Sequence, residues 1–168
     1  MKNFYKKACP PSLHSGVSGR GITVIELLVV LAVLGIIIAV VIPQFSKTRE
    51  NQVLKSGVQD VLSSINKARS QTLSSLNSSS YGVHFQSDEV IIFKGTSFSD
   101  NDPNNENISI TSPASISNVI LNLISAIPGE IYFNRLSGSP SKTGTVTIST
   151  TNYSKIITIS ATGAASVD

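Results

Sequence analysis

Gly21-Ile-Thr-Val-Ile-Glu26-Leu-Leu-Val-Val-Leu-Ala-Val-Leu-Gly35-Ile-Ile-Ile-Ala-Val-Val-Ile-Pro43 is the stretch that decides the fold. From Ile22 to Ile42 only Thr23, Glu26 and Gly35 interrupt a run of apolar residues. Wound as an α-helix, such a run is about 31 Å long, the thickness of a bilayer's hydrocarbon core. A helix buried in a soluble core would be less uniformly apolar around its circumference. The run therefore reads as a membrane span. A plain anchor does not account for Glu26. A carboxylate inside a span costs roughly 2.5–3.5 kcal/mol near the centre and less near an end, and marks a functional position.

On the N-terminal side, residues 1–21 are polar and carry Pro10-Pro11, Lys2, Lys6, Lys7 and Arg20 with no acid. The whole chain of 168 residues has 13 Lys and Arg against 10 Asp and Glu. Removing the four bases of this leader leaves nine against ten, a net charge near −1. The basic balance thus belongs to the leader and says nothing about nucleic acid. Cys9, the single cysteine, also lies there, so a chain starting at Ile22 can form no internal disulfide. An ordinary secretory signal is cut after its apolar run. No small-x-small site follows this one between Val40 and Lys47, so the run is expected to stay in the mature protein. Four leader bases against Lys47, Arg49 and Lys55 favour a cytoplasmic N-terminus.

Arg20-Gly21-Ile22-Thr23-Val24-Ile25-Glu26-Leu27-Leu28 resembles the processing and assembly signal of type IV pilins and type II secretion pseudopilins. The resemblance implies that a prepilin peptidase cuts between Gly21 and Ile22 and then methylates the Ile22 amine. Glu26 becomes the fifth mature residue and serves assembly. The first mature residue of that family is most often Phe, so Ile22 departs from the pattern while remaining bulky and apolar. Gly35 and Pro43 fall at mature positions 14 and 22, where pilins also often carry Gly and Pro. The cysteine-free mature chain differs from major pilins, which often close a C-terminal disulfide loop, and suits a pseudopilin.

Beyond Pro43, which lacks an N–H and is expected to kink or loosen the helix, the apolar period is helical. Leu54, Val58, Val61, Leu62, Ile65, Ala68, Thr72 and Leu76 share one stripe, and Lys55, Gln59, Asp60, Asn66 and Lys67 lie mostly off it. The stripe is expected to pack on the chain's own globular domain, with Gly57 weakening the helix slightly. After Asn77-Ser78-Ser79-Ser80 the period becomes two. Tyr81, Val83 and Phe85 alternate with Gly82 and His84, Gln86-Ser87-Asp88 turns, and Glu89 to Lys94 completes a hairpin. Residues 97–107 read as a loop. Short β-prone runs follow at 108–111, 116–124, 130–134, 144–150 and 155–161, giving five to seven strands in all. The fold class is α+β: a long N-terminal helix, part transmembrane and part amphipathic, on an antiparallel β-sandwich-like domain. The segments are the leader 1–21, the span 22–43, the amphipathic helix 44–76 and the β domain 77–168.

Ile131-Tyr132-Phe133-Asn134-Arg135-Leu136-Ser137-Gly138, Gly144-Thr145-Val146-Thr147-Ile148 and Ile157-Thr158-Ile159-Ser160-Ala161-Thr162-Gly163 are similar to the C-terminal pattern of the GspH/FimT minor (pseudo)pilins. That resemblance implies a pilin fold, an inner-membrane subunit with its β domain in the periplasm, and a place in a type II secretion pseudopilus or type IV pilus. Its partners would be the prepilin peptidase, neighbouring pilin or pseudopilin subunits met through the N-terminal helix, and membrane lipid. Two alternatives stand beside it: a FimT-like minor pilin of DNA uptake, and an N-anchored periplasmic β domain that binds a ligand and never polymerises. DNA binding is not expected, because Gly163 is followed by Ala164-Ala165-Ser166-Val167-Asp168 without a base. No catalytic residue, cofactor or metal site is expected. His84 reads as a surface or sheet residue, and Asp100-Asn101-Asp102-Pro103-Asn104-Asn105-Glu106 as a solvated loop without calcium-loop spacing.

Overall fold

The structure, a computed structural model, describes residues 21–168 apart from the side chains at positions 42 and 43. Leader residues 1–20, with Cys9, and the side chain of Pro43 lie outside the described residues. The chain divides into two compact units between Val40 and Val41.

In the first unit the described residues open helix α1 (Val24–Leu73). Thr23 caps it. Its Oγ1 accepts the Glu26 N–H at 3.2 Å, satisfying a donor that the first turn leaves without an intrahelical partner. The Thr23 carbonyl accepts the Leu27 N–H at 3.1 Å and starts the helical ladder. Every described side chain from Ile22 to Val41 is exposed. The helix is long and apolar enough to cross a membrane.

The second unit holds the rest of α1 and nine strands: β1 (Tyr81–Phe85), β2 (Glu89–Lys94), β3 (Glu106–Ser109), β4 (Ser115–Leu121), β5 (Ile124–Ser125), β6 (Gly129–Tyr132), β7 (Gly144–Ser149), β8 (Ser154–Ile159) and β9 (Ala165–Val167). They form two antiparallel sheets, ordered β3-β2-β1-β6 and β5-β4-β7-β8-β9. The expected hairpin is present, with Val83 opposite Ile92. From α1, Leu54, Val58, Val61, Ile65 and Ala68 recur at helical spacing and enter one apolar core with Val83, Phe85, Ile131 and Phe133 of the first sheet region and Ile116, Val146, Ile148 and Ile157 of the second. Thr72 extends this stripe as a buried hydroxyl. Its Oγ1 accepts the Tyr81 N–H at 2.9 Å and donates to the Ala68 carbonyl at 2.9 Å, joining the end of α1 to the start of β1.

Several sequence expectations change in detail. The helix stops at Leu73, and Leu76 belongs to a short 3-10 turn (Leu76–Ser78) and is exposed. Apart from Leu76, residues 74–80 are Ser and Asn and offer no further apolar surface, and Ser75, Asn77 and Ser78 take left-handed φ angles. The run 116–124 is not one strand: Asn122 (φ 48°) and Leu123 (φ 68°) fold it back into β4 and β5. β3 starts at Glu106, inside the stretch read as loop, because Ile92 pairs with Glu106 and Val90 with Ile108. β9 carries too little apolar signal to be read from the sequence. Gly57 has a packing reason: a Cβ there would lie 3.2 Å from Ile110 Cγ2 and 3.6 Å from the Ala114 Cβ. The helix approaches the β domain closely at that turn.

Of the two readings of His84, a surface or a sheet residue, β1 shows the second. All five residues of the strand are buried, and His84 is only 8 % exposed. The loop between β2 and β3 folds back over the face that alternation assigns to solvent. Its Phe98 stacks on the His84 ring at 3.9 Å between centroids and meets Phe93 edge-on at 5.8 Å.

Candidate functional site

The residues expected to serve processing and assembly sit at the start of α1. Among the described residues, no atom lies within 4 Å of where a Cβ on Gly21 would stand. Ile22 is 75 % exposed and precedes the helix. Thr23-Val24-Ile25-Glu26 has the spacing of a capping box, and its Thr23 half is formed. Glu26 occupies the first turn, where an acid gains about 0.3–1 kcal/mol from the helix dipole. Among the described residues its carboxylate makes no hydrogen bond or ion pair. Gly35 lies within α1, and a Cβ added there would also meet nothing within 4 Å, so the backbone is open to close approach by another helix. α1 continues through position 43.

The second unit holds a cleft of about 350 Å³ lined by His84 of β1, Val119 and Leu121 of β4, Ile124 of β5, and Glu130 of β6, with Ala126, Pro128 and Lys142 from the connections. One wall is apolar, and the polar groups gather at the other. Glu130 Oε2 accepts the Phe98 N–H at 3.2 Å and stands 4.0 Å from His84 Nδ1. Lys142 Nζ donates to the Glu130 main-chain carbonyl at 3.4 Å. His84 Nδ1 is buried without a hydrogen-bond partner. Burial pushes the His84 pKa below its ordinary 6.5, and the negative charges of Glu130, Asp100 and Glu89 act in the opposite direction. Desolvation is the larger effect, so the ring stays neutral near pH 7. A buried imidazole beside a carboxylate can orient a ligand or relay a proton. Among the cleft's lining residues there is no Ser, Thr or Cys.

A third constellation ties the C-terminal loops to the helix. Arg69 of α1 donates from Nε to the Gly138 carbonyl at 3.1 Å and from Nη2 to the Thr162 carbonyl at 3.1 Å. Gly163 (φ +80°) lies against this guanidinium, and a Cβ there would stand 2.2 Å from the Gly138 oxygen. Gly138 (φ +65°) is packed against Leu73. The two glycines that close the C-terminal sequence patterns thus converge on one helix residue. Sequence reading missed Arg69, which lies on a helix face of ordinary polar composition. It also missed Phe98, Glu130 and Lys142, which come from separate elements. The one available signal was an aromatic residue, Phe98, in an otherwise polar loop.

In the loop considered for calcium, Asp102 Oδ1 accepts the Asn104 N–H at 2.9 Å and its side-chain amide at 2.7 Å. These bonds stabilise the carboxylate and lower its pKa. Among the described residues, no group of three or more His, Cys, Asp or Glu is placed to hold a metal ion. No family model, no curated protein and no solved structure matches the chain.

Proposed function

We propose that this chain is a minor pseudopilin or pilin subunit: cut between Gly21 and Ile22 by a prepilin peptidase, methylated at Ile22, held in the bacterial inner membrane with its β domain in the periplasm, and incorporated into a filament. The observation that carries this reading is an apolar helix segment without cover, headed by one carboxylate at fixed distance from an open Gly21–Ile22 bond. Lipid would cover that segment before assembly and neighbouring helices after it. The α+β architecture, a long helix feeding two antiparallel sheets, is compatible with a pilin fold.

The chemistry of Glu26 follows from the alternatives open to it. Helix-dipole stabilisation is smaller than the cost of carrying a carboxylate into apolar surroundings. A cationic partner is therefore expected when the segment enters a dry helix bundle, where an unpaired charge is heavily penalised and a paired one sets register. After processing, the new amine of Ile22 supplies such a cation, in the same or in a neighbouring subunit. Resemblance to pilins supports the neighbouring subunit.

Co-expression with a prepilin peptidase, followed by intact-mass and N-terminal analysis, tests the reading. The expected product begins at methylated Ile22, and Gly21→Val keeps the leader. Glu26→Ala should be inserted, cut and folded, yet lost from sheared filaments and from crosslinks to neighbouring subunits. A product still beginning at Met1 in the presence of active peptidase overturns the proposal. Normal incorporation of Glu26→Ala reduces the acid to a helix-end charge and favours a non-polymerising anchored domain.

A further inference from the structure

The cleft beside His84 lies far along the chain from the assembly segment and has no part in the filament reading. Its volume suits one or two side chains rather than a large cofactor. Val119, Leu121, Ile124, Ala126 and Pro128 give it an apolar wall. The polar end is acidic. Glu130 has one carboxylate oxygen engaged by the Phe98 N–H, Asp100 and Glu89 lie close enough to act on His84, and the one base, Lys142, leans on a main-chain carbonyl. His84 is more than nine-tenths buried, lines the cleft and leaves Nδ1 without a partner. Neutral, it does not offset the carboxylates, and Lys142 balances only one of the three, Glu130, Asp100 and Glu89. A cation is favoured there, and a phosphate backbone is repelled.

The rim adds a second, independent observation. β5 is the edge of its sheet and pairs only with β4. The β4–β5 turn holds Leu123 in the left-handed region at φ 68°, a conformation that bulky residues rarely adopt, with the side chain 97 % exposed. Ile124, which lines the cleft, is also exposed. A strained, exposed leucine next to an exposed isoleucine on an unpaired strand edge gains nothing for the isolated domain. Backbone strain of this kind, about 1–3 kcal/mol, gathers where a ligand or partner is engaged. An extended chain laid along β5 would find main-chain hydrogen bonds at the edge, an apolar wall beside it and a carboxylate beyond.

We propose that the cleft between β1, β4 and β6, with the outer edge of β5, receives an extended peptide segment of a partner protein that presents an apolar residue next to a lysine or arginine. The apolar residue packs on Val119, Leu121 and Ile124, the cation meets Glu130, and Leu123 covers the peptide from the rim.

The test uses the full chain in lipid nanodiscs and a fluorescein-labelled, amidated Val-Lys-Val-Leu-Lys-Val peptide, read by anisotropy. Saturable binding is expected, weakened by salt. The same peptide with Glu in place of Lys should not bind. Glu130→Gln, which keeps the shape and the hydrogen-bond acceptor, should weaken binding roughly fivefold, the scale of a partly exposed ion pair. Ile124→Ser, at an exposed rim position outside the core, should weaken it by a similar factor, with thermal melts confirming that both variants are folded. Gly21→Val should bind like the unaltered chain, which keeps this result separate from the fate of the filament reading. Equal binding of the acidic peptide, an unchanged Glu130→Gln, or no saturable binding at about 1 mM peptide overturns the proposal. So does displacement of the peptide by an equal concentration of n-butylammonium, which would make the cleft a small-amine site.

Discussion

Residues 24–41 and residues 54–72 of α1 are built from much the same aliphatic side chains and meet opposite fates. In the first stretch Leu, Val and Ile point to every side and all are exposed. In the second, apolar residues keep to one stripe, and Val61, Ile65 and Ala68 are fully buried. The apolar residues fill the first stretch, whereas in the second they share the helix with Lys55, Asp60, Lys67, Arg69 and uncharged polar residues that take the other faces. A stripe specifies a single facing surface, which this chain supplies from its own sheets. A helix apolar all round specifies an environment, and none of the described residues covers it. One half of the helix is covered by its own polypeptide; the other half is bare among the described residues.

Core truncation should break the comparison most sharply. Ile65→Ala removes a fully buried side chain and should cost about 2–5 kcal/mol of β-domain stability, measured by urea unfolding of the chain in detergent. Val33→Ala, at an exposed position of the first stretch, should leave that transition within about 0.5 kcal/mol of the parent. Equal losses would mean that the first stretch is covered by the chain itself. Next in size is the Arg69 junction. Arg69→Ala and Gly163→Ala should each cost about 1–3 kcal/mol, the first by leaving two carbonyls without their donor, the second by forcing a Cβ into the Gly138 carbonyl. Because both act on the same contact, the double variant should lose clearly less than the sum. Full additivity would dissolve the junction into two unrelated sites.

Thr23→Ala should cost about 1 kcal/mol, confined to the start of α1. Faster amide exchange at Glu26 and Leu27, with no change in the β-domain melting temperature, is the expected pattern. The smallest effect concerns pH. The folded His84 pKa lies below the unfolded 6.5, so between those two values the unfolded chain holds a proton that the native chain lacks. Stability therefore rises with pH through that window and falls as the solution is acidified from pH 7 through it. His84→Gln should reduce the difference in urea midpoint between pH 7.5 and pH 5.5. An undiminished difference would assign the acid sensitivity to other groups.

Much of this could be read from the residues in order. The helical stripe from Leu54 to Thr72 is present as expected, and so are the β1–β2 hairpin and the strands around Val146 and Ile157. Each is declared by a local period. What escaped was set by contacts between distant positions. His84 is buried because Phe98, fourteen residues later, folds over it. β3 exists because β2 offers Glu106 an edge, and β5 because a left-handed turn at Asn122 and Leu123 splits a run that reads as one strand on paper. Of the cleft, His84 alone stands out in the sequence, and strand alternation points it to solvent. Glu130 and Lys142 are ordinary strand and loop charges until β6 is paired with β1. At the start of α1, the processing expectation for Gly21, Ile22 and Glu26 rests on spacing within six residues, and the structure places Glu26 in the first turn with Gly21 and Ile22 just before it.

The single core that joins α1 to both sheets has a consequence in time. Ile157 and Ile159, which lie over the same interior as Val61 and Ile65, are made roughly 90 residues later in the chain. At synthesis rates of about 5–20 residues per second, the buried stripe of the helix waits on the order of 5–20 s for the last strands that cover it. Through that interval the growing chain exposes an amphipathic helix directly downstream of its apolar segment. Under the proposed membrane insertion of that segment, the lipid interface is the nearest apolar shelter, and the β domain has to draw its own helix back from it as β7 and β8 arrive.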